Sequence, residues 1–301
     1  MTLQQLRQVL TIAESNSMNE AAKKLFVSQP NLSATVREVE EELGITVFMR
    51  NNRGITVTAE GEEFLGYAKQ VVEQYHLLEN RYLNVESKKK FSVSMQHYSF
   101  AVKAFVQLAK EVGMDEYEFA VHETKTKEVI DNVKNLKSEI GVLYLSDFNE
   151  KVLRKLFKEC DIEFKELFTC NTYVYLWKKH PLAGKKVITL DDLQEYPCLT
   201  FEQGVNNSFY YAEEMMSTYE YKRVIKADDR ATMLNLMVGL NGFTLCSGII
   251  SEDLNGDDYA AIPLKESEKM HIGYIKHKGT KLSKLGEIYI CLLYTSDAAD
   301  D

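Results

Sequence analysis

Residues 17–44 read SMNEAAKKLFVSQPNLSATVREVEEELG, and their spacing decides how the chain begins. Ser17 and Glu20 form a Ser-x-x-Glu capping box, in which hydroxyl and carboxylate each satisfy a free amide at a helix start. A short helix through Ala21, Ala22 and Leu25 is predicted to follow. The turn Phe26-Val27 leads to Ser28 as an N-cap, with Pro30 in the first turn, where a missing amide costs least. Leu32, Val36, Val39 and Leu43 mark the buried stripe of a longer helix, and Gly44 ends it. Two helices joined by a tight turn, with small alanines at the crossing, form a helix-turn-helix. Working outward, Leu3, Leu6, Leu10 and Ala13 recur at helical spacing and predict a helix before the motif. Beyond Gly44, residues 45–48 and 55–57 read as short strands around Arg50-Asn51-Asn52-Arg53-Gly54, a hairpin wing with two arginines near its tip.

The face opposite the apolar stripe carries Gln29, Asn31, Ser33, Ala34 and Arg37 at the end that enters the major groove in such motifs. Gln and Asn donate and accept at once, which suits the edge of adenine, while Arg37 suits a phosphate or a guanine.

Composition bounds the rest. The chain has 301 residues, 45% apolar and 27% charged, which excludes wholesale disorder and leaves room for two or three domains. Its clearly apolar stretches, such as Tyr173–Trp177, fall far short of the roughly 18 residues a membrane span requires. The first residues show neither a basic n-region nor a cleavage site, so no signal peptide is read. Five cysteines without CxxC pairing fit a reducing compartment, and a cytoplasmic location is expected. The net charge is −9, with −1 in the first 60 residues and −8 in the remainder. Nucleic-acid binding must therefore rest on a local arrangement of basic groups rather than on bulk charge.

In sequence order, Ala21–Leu25, Ser28–Ser33, Val39–Gly44, Phe48–Arg50 and Val57–Gly61 resemble the winged helix-turn-helix of LysR-type transcriptional regulators. Val39 and Val57 stand where that pattern usually has Leu. The resemblance implies a DNA-contacting set of Ser28, Gln29, Pro30, Asn31, Ser33 and Arg37, with Arg50 and Arg53 on the backbone or in the minor groove. Lys23 and Lys24 are further phosphate candidates. Gly141-Val142, the string 180–183 (HPLA), 190–193 (LDDL) and 239–243 (GLNGF) sit where LysR-type effector domains carry similar strings. Those domains resemble periplasmic binding proteins, with a ligand cleft between two lobes.

Residues 59–86 add an independent argument. Thr58 can cap the segment, and Phe64, Ala68, Val71, Tyr75, Leu78, Tyr82 and Val85 are spaced 4, 3, 4, 3, 4, 3, an a/d seam. A helix partner from a second subunit, antiparallel or parallel, is expected to cover it and to set two reading heads on one dyad site. LysR-type proteins dimerise through a linker helix at this place.

After Ser87, strands are predicted at 91–95, 117–122, 140–145, 164–169, 172–177, 198–201, 223–226, 243–247 and 270–275. Helices are predicted at 101–111, 126–133, 209–217 and 231–238. This alternation predicts α/β sheets with parallel strands. The expected fold class is thus α/β multidomain: a winged helix-turn-helix over 1–58, a linker helix over 59–87 and a two-lobed effector domain over 88–291. Lobe I would take about 91–163 with a return segment 268–291, and lobe II about 164–267. Residues 292–301 resemble translated adapter sequence or a frayed tail and are expected to pack poorly.

Ligands of such lobes settle beyond the carboxyl ends of strands, near helix starts. That selects Gln96, Ser99, Thr124, Thr126, Phe201, Gln203, Ser208, Arg230 and Thr232, whose hydroxyl members serve equally as N-caps. Lys125, Lys127 and Arg230 incline the reading toward a small organic anion, while Tyr98, Phe201, Phe209 and Tyr210 would line a pocket for an aromatic acid. Arg230 serves equally in a surface salt bridge. The histidines form no HxxxH set, and no nucleophile elbow, P-loop or dinucleotide fingerprint occurs, so no catalytic, metal or cofactor role is assigned. Cys198 is read as a small buried hydrophobe rather than a redox switch. The expected protein is a homodimer or tetramer that binds a dyad operator in double-stranded DNA under effector control, with RNA polymerase as a further partner. The competing class is a ligand sensor without DNA regulation.

Overall fold

Each of the first three helices starts on a hydroxyl. The computed structural model describes residues 1–15, 17–51, 54–82, 88–113, 116–206 and 208–297. In it α1 (Leu3–Ala13) begins at Thr2, whose Oγ1 accepts Gln5 N while Gln5 Oε1 accepts Thr2 N. Ser17 Oγ accepts Glu20 N ahead of α2 (Met18–Lys24), and Ser28 Oγ accepts Asn31 N ahead of α3 (Gln29–Leu43). Each such cap is worth about 1 kcal/mol. Gly44 closes α3 with φ +68°, a left-handed turn that glycine takes without steric cost.

Ile12, Ala21, Leu32, Val36 and Val39 share one buried core, each large aliphatic contributing roughly 1.5–3 kcal/mol. Leu43, expected in the stripe, is exposed, so the stripe ends at Val39. Strands β1 (Phe48–Asn51) and β2 (Gly54–Val57) pair antiparallel as the wing, with Arg50 opposite Ile55. The wing is tied to α3 by Glu40, whose Oε1 accepts Val47 N at 2.7 Å and Phe48 N at 3.0 Å. Thr58 then starts α4 (Ala59–Tyr82): its hydroxyl accepts Gly61 N at 2.9 Å and donates to Thr46 O. A Cβ at Gly61 would overlap the Val47 carbonyl, which is why Thr-x-x-Gly stands at this junction.

The expected seam of α4 divides. Phe64 and Ala68, with Val72, pack on Leu3, Leu6 and Leu10 of α1. Tyr67, Val71, Tyr75 and Leu78 remain exposed. Tyr82 and Val85, the last seam positions, carry no described side chain.

The chain clusters into two compact units, Met1–Ser87 and Lys88–Asp301. The second opens with β3 (Lys89–Met95), α5 (Ser99–Val112), β4 (Tyr117–Glu123), α6 (Thr126–Lys134), β5 (Ile140–Leu145), α7 (Glu150–Glu159) and β6 (Ile162–Cys170). It continues through β7 (Tyr173–Trp177), α8 (Leu190–Leu193), β8 (Cys198–Phe201), β9 (Val224–Ala227), α9 (Arg230–Leu240) and β10 (Thr244–Cys246). Then come α10 (Glu252–Asn255), β11 (Tyr259–Pro263), β12 (Met270–His277) and α11 (Lys284–Asp297). One sheet has the order β4-β3-β5-β12-β6, a second β10-β7-β11, and β8 pairs with β9.

Four expectations are corrected. β12 lies antiparallel between β5 and β6, and β7 is antiparallel to both its neighbours, so only β3-β4, β3-β5 and β8-β9 are parallel among the named strand pairs. β6 belongs to the first sheet, which moves the crossing into lobe II from 164 to the residues after Cys170. Residues 209–217 form a single 3-10 turn, Phe209–Tyr211, and then turns, with Met216 at φ +56°. The tail does not pack poorly where it is described: α11 runs through 292–297, and Leu293 is 0% exposed in the core of the first lobe. Residues 298–301 lie outside the described part.

In lobe II the string 180–183 docks on 239–243. His180 Nδ1 accepts Leu182 N, its Nε2 donates to Asn241 O, and Trp177 Nε1 donates to Asn241 Oδ1. Burial holds the His180 pKa below its ordinary value, which fits a neutral ring with this division of donor and acceptor.

Phe26, between α2 and α3, has φ +55° and is 96% exposed. An L-residue in this region costs roughly 1–2 kcal/mol, part of which glycine returns to the unfolded chain as entropy. Phe26→Gly therefore raises the stability of the N-terminal unit by about 0.5–1 kcal/mol, read as a higher thermal midpoint. A lower midpoint would show that the ring contributes packing.

Candidate nucleic-acid interface and ligand cleft

At the start of α3, Ser28, Pro30, Asn31 and Arg37 are exposed, and Gln29 is half-buried. Ser33, expected on the same open face, is 5% exposed, because it lies one turn from Gln29 and beside Leu32. Its Oγ accepts Gln29 Nε2 at 3.0 Å, so Ser33 fixes the Gln29 amide instead of presenting itself. Arg37 forms no ion pair with the described residues. Lys24 is drawn back by Glu20 at 2.9 Å and Ser15 at 3.3 Å. The positive end of the α3 dipole adds to the local field that favours phosphate. Arg50 sits on β1 of the wing, while Arg53 lies outside the described residues. Glu40 was missed as a site-building residue; the signal was a glutamate facing the chain just past the Gly44 turn.

In the second unit a cavity of about 80 Å³ lies between the lobes. Of the residues selected from sequence, Ser99, Phe201 and Arg230 line it directly. Gln96, Thr126 and Gln203 form a hydrogen-bond chain. Gln96 Nε2 donates to Thr126 Oγ1 at 2.6 Å, and Thr126 N donates to Gln203 Oε1 at 3.1 Å. Gln203, from lobe II, thereby caps α6 of lobe I. Ser99 Oγ accepts Ser251 N at 3.3 Å across the same gap. Thr124, Ser208 and Thr232 are not brought in. Thr124 donates to the Glu128 carboxylate, Ser208 is exposed and makes no capping bond, and Thr232 is held by Asp229, the true N-cap of α9.

Two carboxylates of the lining, Glu213 and Glu214, escaped the sequence reading. Glu213 Oε2 accepts His97 N at 3.0 Å and His97 Nδ1 at 2.8 Å, and Glu213 Oε1 accepts Gln203 Nε2 at 2.9 Å. His97 stacks on Phe201, centroids 3.6 Å apart and 4° from parallel. Glu214 accepts Phe201 N at 2.8 Å. Burial, followed by the neighbouring Glu213 charge, pushes the Glu214 carboxyl up to about 8.

This charge layout runs against the inclination toward an anion. The two amide positions that would greet a carboxylate are already taken, one by Gln203 and one by Glu213. Arg230, the one arginine of the lining, is paired with Glu123. An added anion about 4 Å from one buried carboxylate would meet roughly 4 kcal/mol of repulsion at an effective dielectric of 20. Cys198 is buried, and burial drives its thiol far above the ordinary range, so it is not poised as a thiolate. Among the described residues no group of three or more His, Cys, Asp or Glu is placed to hold a metal, and no helix is long and apolar enough to cross a membrane.

The Glu214 shift makes a stability statement. Between its ordinary value near 4.5 and about 8, the folded protein holds a proton that the unfolded chain has released, so stability falls as pH rises through that window. Glu214→Gln keeps an acceptor for Phe201 N–H and removes the effect. Its thermal midpoint should exceed that of the wild type by about 3 °C or more at pH 8.5 and match it near pH 5. A variant less stable at both pH values would show that the ionised carboxylate is required.

Residues 3–62 match the family described as bacterial regulatory helix-turn-helix protein, lysR family, and residues 114–288 match the LysR substrate binding domain. The chain is 25% identical over 299 residues to the HTH-type transcriptional regulator CysL of Bacillus subtilis (strain 168), spanning 96% of this chain and 95% of that one. To BsdA of the same organism it is 26% identical over 247 residues, 79% of this chain and 80% of that one. A full-length OxyR variant from Pseudomonas aeruginosa superposes with a TM-score of 0.69 at 19% identity, covering 99% of this chain and 95% of that chain. Full-length CbnR complexed with its target DNA superposes at 0.59 with 17% identity, covering 98% of this chain and 100% of that chain. The structural likenesses establish the fold, and the two family domains, matched in order over most of the length, settle the assignment: the chain belongs to the LysR family of bacterial helix-turn-helix transcriptional regulators.

Proposed function

We propose that this DNA-binding regulator reads a dyad operator with two copies of α3, each presenting Gln29 to a base edge on an amide held by Ser33. Arg37 and the exposed start of α3 engage phosphate or a guanine, and Arg50 with Arg53 follows the backbone or minor groove from the wing. The observation that carries the reading is the Gln29–Ser33 hydrogen bond at the exposed N-terminal end of α3. A side chain fixed before binding loses less entropy on binding. The chain then divides into a reading head over 1–58, a linker helix over 59–87 and an effector domain that continues beyond 291 through α11.

The second copy is supplied by α4. Tyr67, Val71, Tyr75 and Leu78 follow one another at spacings 4, 4 and 3, so they form one apolar stripe on the helix, and all four are exposed. A matching helix from a second subunit buries this stripe, and pairs of dimers make a tetramer. A small effector in the cleft shifts the population between assembly geometries through its different affinity for them, which changes DNA bending or access of RNA polymerase. The protein works in the cytoplasm and carries out no catalysis.

The purified protein, incubated with a random duplex pool at moderate salt, should enrich an interrupted palindrome. Gln29→Ala should weaken binding to that duplex by about tenfold, a loss within the 1–3 kcal/mol of one bidentate base contact, with binding to unselected duplex unchanged. Absence of enrichment would overturn the DNA reading in favour of a sensor without a working head. Val71→Glu with Leu78→Glu should convert the protein to a monomer in sedimentation. A variant that stays dimeric would place the subunit contact elsewhere.

A further inference from the structure

The cavity between the lobes is unevenly partnered. Glu213 and Glu214 line it at 7% and 4% exposure, both cut off from bulk water. Glu213 has both oxygens occupied by His97 and Gln203, whereas Glu214 receives the Phe201 amide. Thr244 of β10 lines the same cavity at 6% exposure, and its hydroxyl is buried with no hydrogen-bond partner among the described residues. Buried hydroxyls are normally satisfied, so an unmet one on a cavity wall marks the place of an absent partner. Arg230, the lining arginine, already donates to Glu123. Met233, Met237 and Ile249 supply apolar surface.

The complement of such a wall is a compact donor bearing positive charge on a short apolar body. We propose that the effector of this protein is a small primary amine, its ammonium group paired with Glu214 and accepted also by the Thr244 hydroxyl, its carbon chain against Met233, Met237 and Ile249. This rests on the reading of the cleft as the effector site. The size agrees: on a scale where a cavity of roughly 150 Å³ admits benzene, 80 Å³ admits a molecule of a few non-hydrogen atoms. An ammonium offers three donors and no acceptor, so it satisfies acceptors without adding an unmet group of its own.

The test uses the full chain and three probes of like size, n-butylammonium chloride, sodium butyrate and 1-butanol, in calorimetric titration and thermal unfolding at matched ionic strength. Butylammonium should bind saturably and raise the midpoint, while butyrate and butanol at the same concentration should not. Glu214→Gln should weaken butylammonium binding at least tenfold without lowering the midpoint of the ligand-free protein, and Thr244→Val should weaken it severalfold. Binding of butyrate in place of butylammonium overturns the amine and leaves the effector cleft standing. Failure of all three probes, or unchanged affinity in Glu214→Gln, also overturns it. Failure of the effector reading itself has a different signature: butylammonium binds through Glu214, yet the affinity and footprint on the selected duplex do not change.

Discussion

Glu213 carries three hydrogen bonds at the place where the two lobes of the effector domain meet. Glu213 takes the backbone amide and ring nitrogen of His97 from lobe I on one oxygen and the Gln203 amide of lobe II on the other. From Gln203 the chain runs to Thr126 at the start of α6 and on to Gln96 behind β3. The segment carrying Glu213 is held a second time by lobe I, where Tyr144 donates to Ala212 O at 3.0 Å and Thr126 donates to Tyr211 O at 2.7 Å. Removing one partner from such a network strands a buried charge, a far larger loss than the net worth of the hydrogen bonds themselves.

The N-terminal unit uses the same device on a smaller scale. Glu40 of α3 accepts two successive backbone amides at the start of β1, which fixes the direction in which the wing leaves α3. The Thr58–Gly61 junction then sets where α4 departs, because only glycine fits beneath the Val47 carbonyl. Charge-assisted hydrogen bonds to backbone amides suit this task, since they hold the chain path whatever the side chains around them. The helix α3, the wing and α4 are thus tied by contacts that involve none of Gln29, Asn31 and Arg37.

What the sequence revealed and what it hid follow from the range of the interactions. The helix-turn-helix was legible because caps, turn and stripe repeat within four residues of one another: Ser17 and Ser28 cap and Gly44 closes as read, while the Glu20 carboxylate pairs with Lys24 and only the Ser17 half of the expected capping box is formed. Every strand expected after Ser87 overlaps a strand of the two lobes, whereas β11 and the helices α7, α8, α10 and α11 escaped notice. Residues 209–217 carry helix-forming composition, yet Met215 is drawn into the lobe I core and Met216 turns left-handed, so packing overrides propensity. Ser33 was misplaced because a stripe read from Leu32 and Val36 leaves its flank undecided. Glu213 and Glu214 were invisible as site residues because their partners lie 10 to 116 residues away.

The buried carboxylates also constrain how any effector can act. A ligand shifts an equilibrium only by its differential affinity for the two states, so it must meet groups whose surroundings change when the lobes move. Glu213 meets that condition, because its partners His97 and Gln203 come from lobe I and lobe II. Hydroxyls such as Thr232, satisfied within one helix start, do not. On the proposed reading, a ligand that competes for the Glu213 contacts would alter bonds between the lobes, whereas one held by α9 alone would leave them intact. On the proposed reading of the cleft as effector site, sensing and closure therefore share the contacts of Glu213, whose partners come from both lobes.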